Sequence, residues 1–212
     1  MIKDIRKKSA EILIKIGSVS FNVSKPFKLT SGKLSPIYCD CRKIISFPQE
    51  RNILMNYAVE LLKKEIGLKK IDFLAGGETA GIPFASFLAS KLQLPMIYIR
   101  KKTKDFGKKK KIEGRLHSKS NVVLVEDLIT DGGSKKHFLE SIENEDSNIL
   151  ATLVIFNYGI FNKKLKINGF NSKLIFLATW KDVLSVAKSK NLLAKSEISE
   201  IKKFLSDFGV KN

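Results

Sequence analysis

Glu126 and Asp127 stand side by side at the end of an apolar run, VVLVE, and Thr130-Asp131-Gly132-Gly133-Ser134 follows two residues later. Two adjacent carboxylates can accept hydrogen bonds from vicinal hydroxyls, as on a ribose. The Gly-Gly turn lets the backbone tighten and direct N–H groups outward. A helix beginning there adds unpaired donors and a partial positive charge, which makes a phosphate cradle. An acid pair beside such a cradle suits a sugar phosphate. The same acids suit Mg²⁺ held through water. The pattern is not a Walker loop, because GxxxxGK[ST] is missing. A second stretch, RKKTKDFGKKKK (100–111), has eight basic residues in twelve and fits an anionic ligand. A third, GGETAG (76–81), is another Gly-rich turn.

The elements that must position these stretches alternate along the chain. A helix is expected over 3–16, from the spacing of Ile5, Ile12, Leu13 and Ile16. Residues 21–43 have extended character with Ser-Gly and Ser-Pro punctuation, so they read as a hairpin or two short strands. Pro48 opens a helix that runs to about Glu65, with Leu54, Tyr57, Ala58, Leu61 and Leu62 on one side. Strands are expected at 71–75, 95–100, 121–126, 148–156 and 173–178. Helices are expected at 81–92, 133–143, 180–188 and 196–207, with a further short one at 159–166. Apolar strands alternating with helices imply a parallel sheet covered on both faces. Ligands of such sheets sit beyond the carboxyl ends of the strands. GGETAG, RKKTKDFG and EDLITDGGS all lie at such ends, so they should converge on one crevice.

At 212 residues the chain is read as one domain, long enough to bury a sizeable core. No apolar run approaches the ~18–20 residues that span a bilayer, and Glu11 and Lys15 break the N-terminal apolar stretch. A cytoplasmic location is therefore expected. The formal net charge is +18, carried by 34 Lys and five Arg spread over most of the chain, as on a solvated surface. Cys39 and Cys41 flank Asp40 without a CxxC or a His cluster nearby, so they are read as reduced, packed thiols.

VVLVEDLITDGGS resembles the 5-phosphoribosyl 1-pyrophosphate (PRPP) signature of the type I phosphoribosyltransferases. FKLTSGKLSPIYCDCRK (27–43) is similar to the N-terminal segment of the orotate phosphoribosyltransferases. RKKTKDFGKKKKIEG (100–114) resembles that family's catalytic loop, and with GGETAGIP (76–83) the likeness covers about 27–134 in matching order. The resemblance implies an α/β type I phosphoribosyltransferase fold with a central, mostly parallel sheet flanked by helices. A small N-terminal hood (about 1–45) and a mobile basic loop (101–118) would complete a single domain over 1–212. It implies transfer of ribose 5-phosphate from PRPP to N1 of orotate, with Mg²⁺ as cofactor, in a homodimer with shared active sites and without nucleic acid or membrane. Arg100, Lys101 and Lys104 would clamp the pyrophosphate, Lys101 in its own subunit and the other two across the dimer. Glu78, Thr79 and the run Glu126, Asp127, Leu128, Ile129, Thr130, Asp131, Gly132, Gly133 and Ser134 would hold PRPP. Magnesium would be bound mainly through PRPP, with Asp127 reaching it through water. Thr130, Tyr38, Lys28 and Arg42 would face orotate.

Four positions depart from the family pattern, as in a divergent bacterial branch. Phe106 stands where the loop carries His, Thr30 where the hood carries Lys, and Ala80 before Gly81-Ile82-Pro83 where Lys is frequent. Tyr158 lies where an Arg for the orotate carboxylate is expected, and Arg42 is the candidate replacement. Lys108–Lys111 are assigned to solvation, His117 and His137 to surface or helix-face positions, and Trp180 to packing. Two alternatives stand beside orotate transfer: transfer to another nucleobase, and a PRPP-sensing regulator that binds nucleic acid.

Overall fold

The computed structural model describes residues 1–29, 32–102, 111–167 and 169–210, without the side chain of Ser134. Helix α1 (Ile2–Lys15) is followed by two nested pairs of short strands. In the outer pair, β1 (Val19–Phe21) runs antiparallel to β4 (Ile37–Cys39); in the inner pair, β2 (Phe27–Lys28) runs antiparallel to β3 (Leu34–Ser35). The region expected to be extended, 21–43, together with Val19 and Ser20 before it, is thus a double hairpin standing apart from the main sheet. A 3₁₀ turn at Cys41–Ser46 leads to α2 (Pro48–Glu65), with Pro48 in its first turn. Helix α2 buries Leu54, Met55, Ala58, Leu61 and Leu62, each Leu side chain contributing about 1.5–3 kcal/mol.

Strand β5 (Phe73–Gly77), helix α3 (Gly81–Leu92) and strand β6 (Met96–Ile99) form the first crossover unit. The two-residue strand β7 (Ile112–Glu113) returns antiparallel along β6, inside the stretch expected to be wholly loop. The second unit is β8 (Asn121–Ile129), α4 (Gly133–Glu143) and β9 (Asn148–Asn157). Strands β10 (Lys164–Ile167) and β11 (Phe170–Thr179), then α5 (Trp180–Ser189) and α6 (Lys195–Asp207), complete the described chain. The sheet order is β10-β11-β9-β8-β5-β6-β7, with the five inner strands parallel and both edges antiparallel.

One expected element is corrected. The short helix at 159–166 is absent, and 164–167 is an edge strand. Its Lys-Leu-Lys-Ile alternation, with Lys164 and Lys166 exposed and Leu165 buried, is a period of two. A second difference matters more for function. Strand β8 does not end at Glu126 but continues to Ile129, pairing Leu128 with Phe156 and Ile129 with Asn157 of β9. The helical cover is also uneven. Helices α1, α2, α3, α5 and α6 pack residues into one apolar cluster, whereas α4 supplies Phe138, Leu139 and Ile142 to the cluster on the opposite face. Trp180 is fully buried in the larger cluster, with its ring edge against Phe156 and Tyr158.

Candidate active site

The chain leaves β5 through α3 toward β6 on one side, and leaves β8 through α4 toward β9 on the other. Since β5 and β8 are neighbours, the order reverses between them, and the turns after these strands diverge around a crevice. A cleft of about 1130 Å³ opens there. It is lined by Glu78 and Thr79 after β5, by Lys101 after β6, and by Glu126, Asp127, Leu128, Thr130, Asp131 and Gly132 from β8 and its turn. The three stretches singled out in the sequence therefore meet in one place.

Because Glu126 and Asp127 are still within a strand, their side chains leave on opposite faces. Glu126 is turned toward α4 and is 4% exposed. Its Oε2 accepts a short bond from the Lys135 ammonium, itself buried, which forms an ion pair inside the cleft wall. Burial raises the Glu126 carboxyl above its ordinary range, and Lys135 opposes that shift. The other oxygen, Oε1, lies against the backbone at Gly77 and Gly81, where a Cβ atom would collide with it. Glycine at these two positions is what lets the carboxylate sit under the β5–α3 turn. Asp127 is half-buried on the other face, the side of the Cys41 turn.

The turn after β8 is held by its own acid. Gly133 N–H donates to Asp131 Oδ1 at 3.1 Å. Gly132 has φ +80°, and a Cβ there would run into Ile167 of the edge strand. Ile129 is a core residue, 1% exposed, and does not line the cleft as the PRPP run implied. Its backbone carbonyl accepts from Tyr158 N–H at 2.9 Å. Gly133 lies at the first turn of α4 beside the lining residues. The Ser134 side chain lies outside the described residues.

At the basic stretch, Arg100 and Lys101 take different directions. Lys101 lines the cleft, and its backbone N–H donates to Glu78 Oε2 at 2.6 Å. The Arg100 guanidinium is not on the cleft wall and lies 3.7 Å from Glu113 of β7. Lys104, Phe106 and Lys108–Lys110 fall outside the described residues, as does Thr30.

The far end of the cleft is formed by the double hairpin and the last helix. Lys28, Lys33, Tyr38, Cys39, Asp40 and Arg42 face Tyr158 and Phe208. Arg42 is engaged: Nε and Nη2 donate to the two oxygens of Asp40 at 2.7 and 3.1 Å, and this fork holds the Asp40 carboxyl below its usual range. Tyr38 is exposed and tilts over Phe27, with ring centroids 5.7 Å apart. The Cys39 and Cys41 thiols are buried and unbridged, 3.6 Å apart; their contact, then burial, pushes the Cys41 thiol up. Tyr158 is 7% exposed, and its ring meets Phe156, Trp180 and Phe208. Burial raises its hydroxyl above the ordinary range, so it stays protonated.

A family model described as "Phosphoribosyl transferase domain" matches residues 48–172. The orotate phosphoribosyltransferase of Ruegeria sp. is 44% identical over 97% of this chain and 91% of its own length. That of Roseobacter denitrificans is 43% identical over 96% and 91%. The chain belongs to the orotate phosphoribosyltransferase family. In fold it is similar to the Aeropyrum pernix orotate phosphoribosyltransferase, with TM-score 0.70 and 24% identity over 87% of this chain and 99% of that one. It also matches Leishmania donovani UMP synthase, TM-score 0.78 at 23% identity, where 95% of this chain spans 42% of that protein.

For a member of this family, the residues that sequence reasoning missed are informative. Lys135 and His137 follow the signature by one and three positions. Their roles depend on which way α4 faces, and no local pattern reports that. Lys33 and Phe208 reach the cleft from a hairpin arm and from the far end of the chain. His117 is exposed, as expected, whereas His137 is half-buried and bonded.

Proposed function

We propose that this chain transfers the ribose 5-phosphate unit of PRPP to N1 of orotate, giving orotidine 5′-monophosphate and pyrophosphate. The observation that carries the reading is the meeting of the acid pair, the Gly-Gly turn, Glu78-Thr79 and Lys101 in one cleft at the sheet's reversal point. The reaction breaks the C1′–O bond to the pyrophosphate and forms the N1–C1′ bond, with N1 giving up its proton. The ribose carbon becomes cationic as the leaving group departs, so no protein nucleophile is required. Positioning and positive charge at the leaving oxygens supply the catalysis.

The turn Thr130–Ser134 and the α4 N-terminus hold the 5-phosphate, and the half-buried Asp127 takes the ribose hydroxyls, with Glu126 on the cleft wall paired to Lys135. Glu78, Thr79 and Lys101 face the pyrophosphate. Arg100, which is off this cleft wall, and Lys104 serve the neighbouring site of a homodimer. Among the described residues no three His, Cys, Asp or Glu side chains cluster to hold a metal. Mg²⁺ would therefore ride on the oxygens of PRPP, neutralising the leaving group, with Asp127 reaching it through water. Tyr38, Lys28, Arg42 and Thr130 face the base, and 1–212 works as one domain. Among the described residues no helix is long and apolar enough to cross a membrane, and the pathway chemistry fits a cytoplasmic enzyme.

Lys28 and Lys33 at the base end, beside the paired Arg42 and Asp40, favour an anionic pyrimidine over a neutral purine. Loss of orotate absorbance should require protein, PRPP and Mg²⁺ together, and adenine should give no product under the same conditions. Arg42→Ala should raise the orotate KM and leave the PRPP KM unchanged. An unchanged orotate KM in an active enzyme would remove Arg42 from the site, and product from adenine but not orotate would overturn the reading.

A further inference from the structure

His137 was expected to be a surface or helix-face residue without a role. The structure puts it at a junction. Its Nε2 lies 2.9 Å from the backbone carbonyl of Arg100, the first residue beyond β6. A carbonyl only accepts, so Nε2 carries the hydrogen and donates it. The contact spans 37 residues of sequence and joins two separate crossover units.

The neighbouring polar groups are gripped in the same way. Arg100 N–H donates to Lys111 O at 2.8 Å, beside the first residue of β7. Lys101 N–H donates to Glu78 Oε2 at 2.6 Å, and Glu78 N–H donates to Ile99 O at 2.9 Å. Three successive backbone groups, Arg100 N–H, Arg100 C=O and Lys101 N–H, thus each have a partner from a different element. The Lys111 and Glu78 contacts belong to the β6–β7 ladder and the β5 turn. The His137 contact alone reaches α4, and Gly133 and His137, four residues apart, share one face of that helix.

We infer that His137 is a positioning residue for the transfer reaction, fixing the Arg100–Lys101 backbone against the helix that holds the sugar phosphate. The inference rests on the proposed function, in which these two side chains act on the pyrophosphate. The bond sets the distance between the helix that holds the 5-phosphate end of PRPP and Lys101, the charge of the same subunit that receives its leaving group. Uniform binding of the nucleotide does not depend on it. Its loss should therefore appear at the pyrophosphate and not at the nucleotide.

The test uses the reverse reaction, with orotidine 5′-monophosphate and pyrophosphate, on full-length His137→Leu, His137→Gln and Lys101→Ala proteins. His137→Leu should raise the pyrophosphate KM about fivefold, the scale of one net hydrogen bond, with the nucleotide KM unchanged. His137→Gln places an amide N–H near the position of Nε2 and should restore most of the difference. Thermal unfolding of each variant separates this from a loss of fold, since a structural role would move both KM values or the midpoint without rescue by Gln. If Lys101→Ala raises the pyrophosphate KM and His137→Leu does not, the inference is overturned and the proposed site stands. If Lys101→Ala leaves the pyrophosphate KM unchanged, the assignment of the basic stretch falls and takes the inference with it.

Discussion

Replacing Lys135 by Met should be among the most damaging single changes in the molecule, although the residue was not part of the family signature. Both side chains of the Lys135–Glu126 pair are buried, at 7% and 6% exposure, so neither charge is well hydrated. Met keeps most of the stem's volume and removes the ammonium, leaving the Glu126 carboxylate among Gly77, Gly81 and Phe138. Removing one partner of a buried pair costs about 3–5 kcal/mol. For a chain of this size that is a fall of about 6–20 °C in unfolding midpoint. Urea unfolding of both proteins measures it directly. Glu126→Gln in the Met background should recover a large part of the loss, because no charge then remains buried. The pH dependence has a definite sign. Burial already raises the native Glu126 carboxyl above its ordinary range, and without Lys135 it climbs further. The native state then keeps a proton that the unfolded chain has released. The penalty is full above the new native value and shrinks as pH falls toward the ordinary carboxylate range. A loss below about 1 kcal/mol at neutral pH, or one that grows on acidification, would refute the reasoning; the first is the scale of a solvated surface pair.

Two further outcomes follow from close approaches around the cleft. Gly81→Ala drives a methyl group into Glu126 Oε1 and the Val125 carbonyl, and should cost about 1–3 kcal/mol in urea unfolding with a raised PRPP KM. Phe208→Ala removes one ring from the aromatic group around Tyr158 and should raise the orotate KM about two- to tenfold with the PRPP KM unchanged, as steady-state kinetics with each substrate varied would report.

The parallel sheet and the meeting of its three loops were legible because strands buried on both faces read as unbroken apolar runs, and β5 and β9 are of that kind. The helix at Gly133–Glu143 and that at Gly81–Leu92 were legible to the residue from their glycines and apolar spacing. Residues 164–167 were misread because two alternations are too few to separate a strand from a helical turn. Strand β8 was cut short because charged residues looked like a strand end. Its continuation depends on the ladder with β9, a tertiary fact, and this continuation is what sends Glu126 and Asp127 to opposite sides. Arg42 lines the cleft, but its fork to Asp40, two residues away, was not foreseen.

Helix α4 touches several parts of the site within its first five residues: the turn at Gly132–Gly133, Glu126 through Lys135, and the Arg100 carbonyl through His137. Each contact relies on the same helical phase. One residue inserted before Lys135 would rotate everything after it by about 100°, carrying the ammonium off its carboxylate and the imidazole off its carbonyl together. Substitutions here can be compensated one at a time, but a change of length cannot. The 133–137 segment should therefore tolerate neither insertion nor deletion across a library of variants, whereas the exposed residues 144–146, at the other end of the helix, should accept insertions.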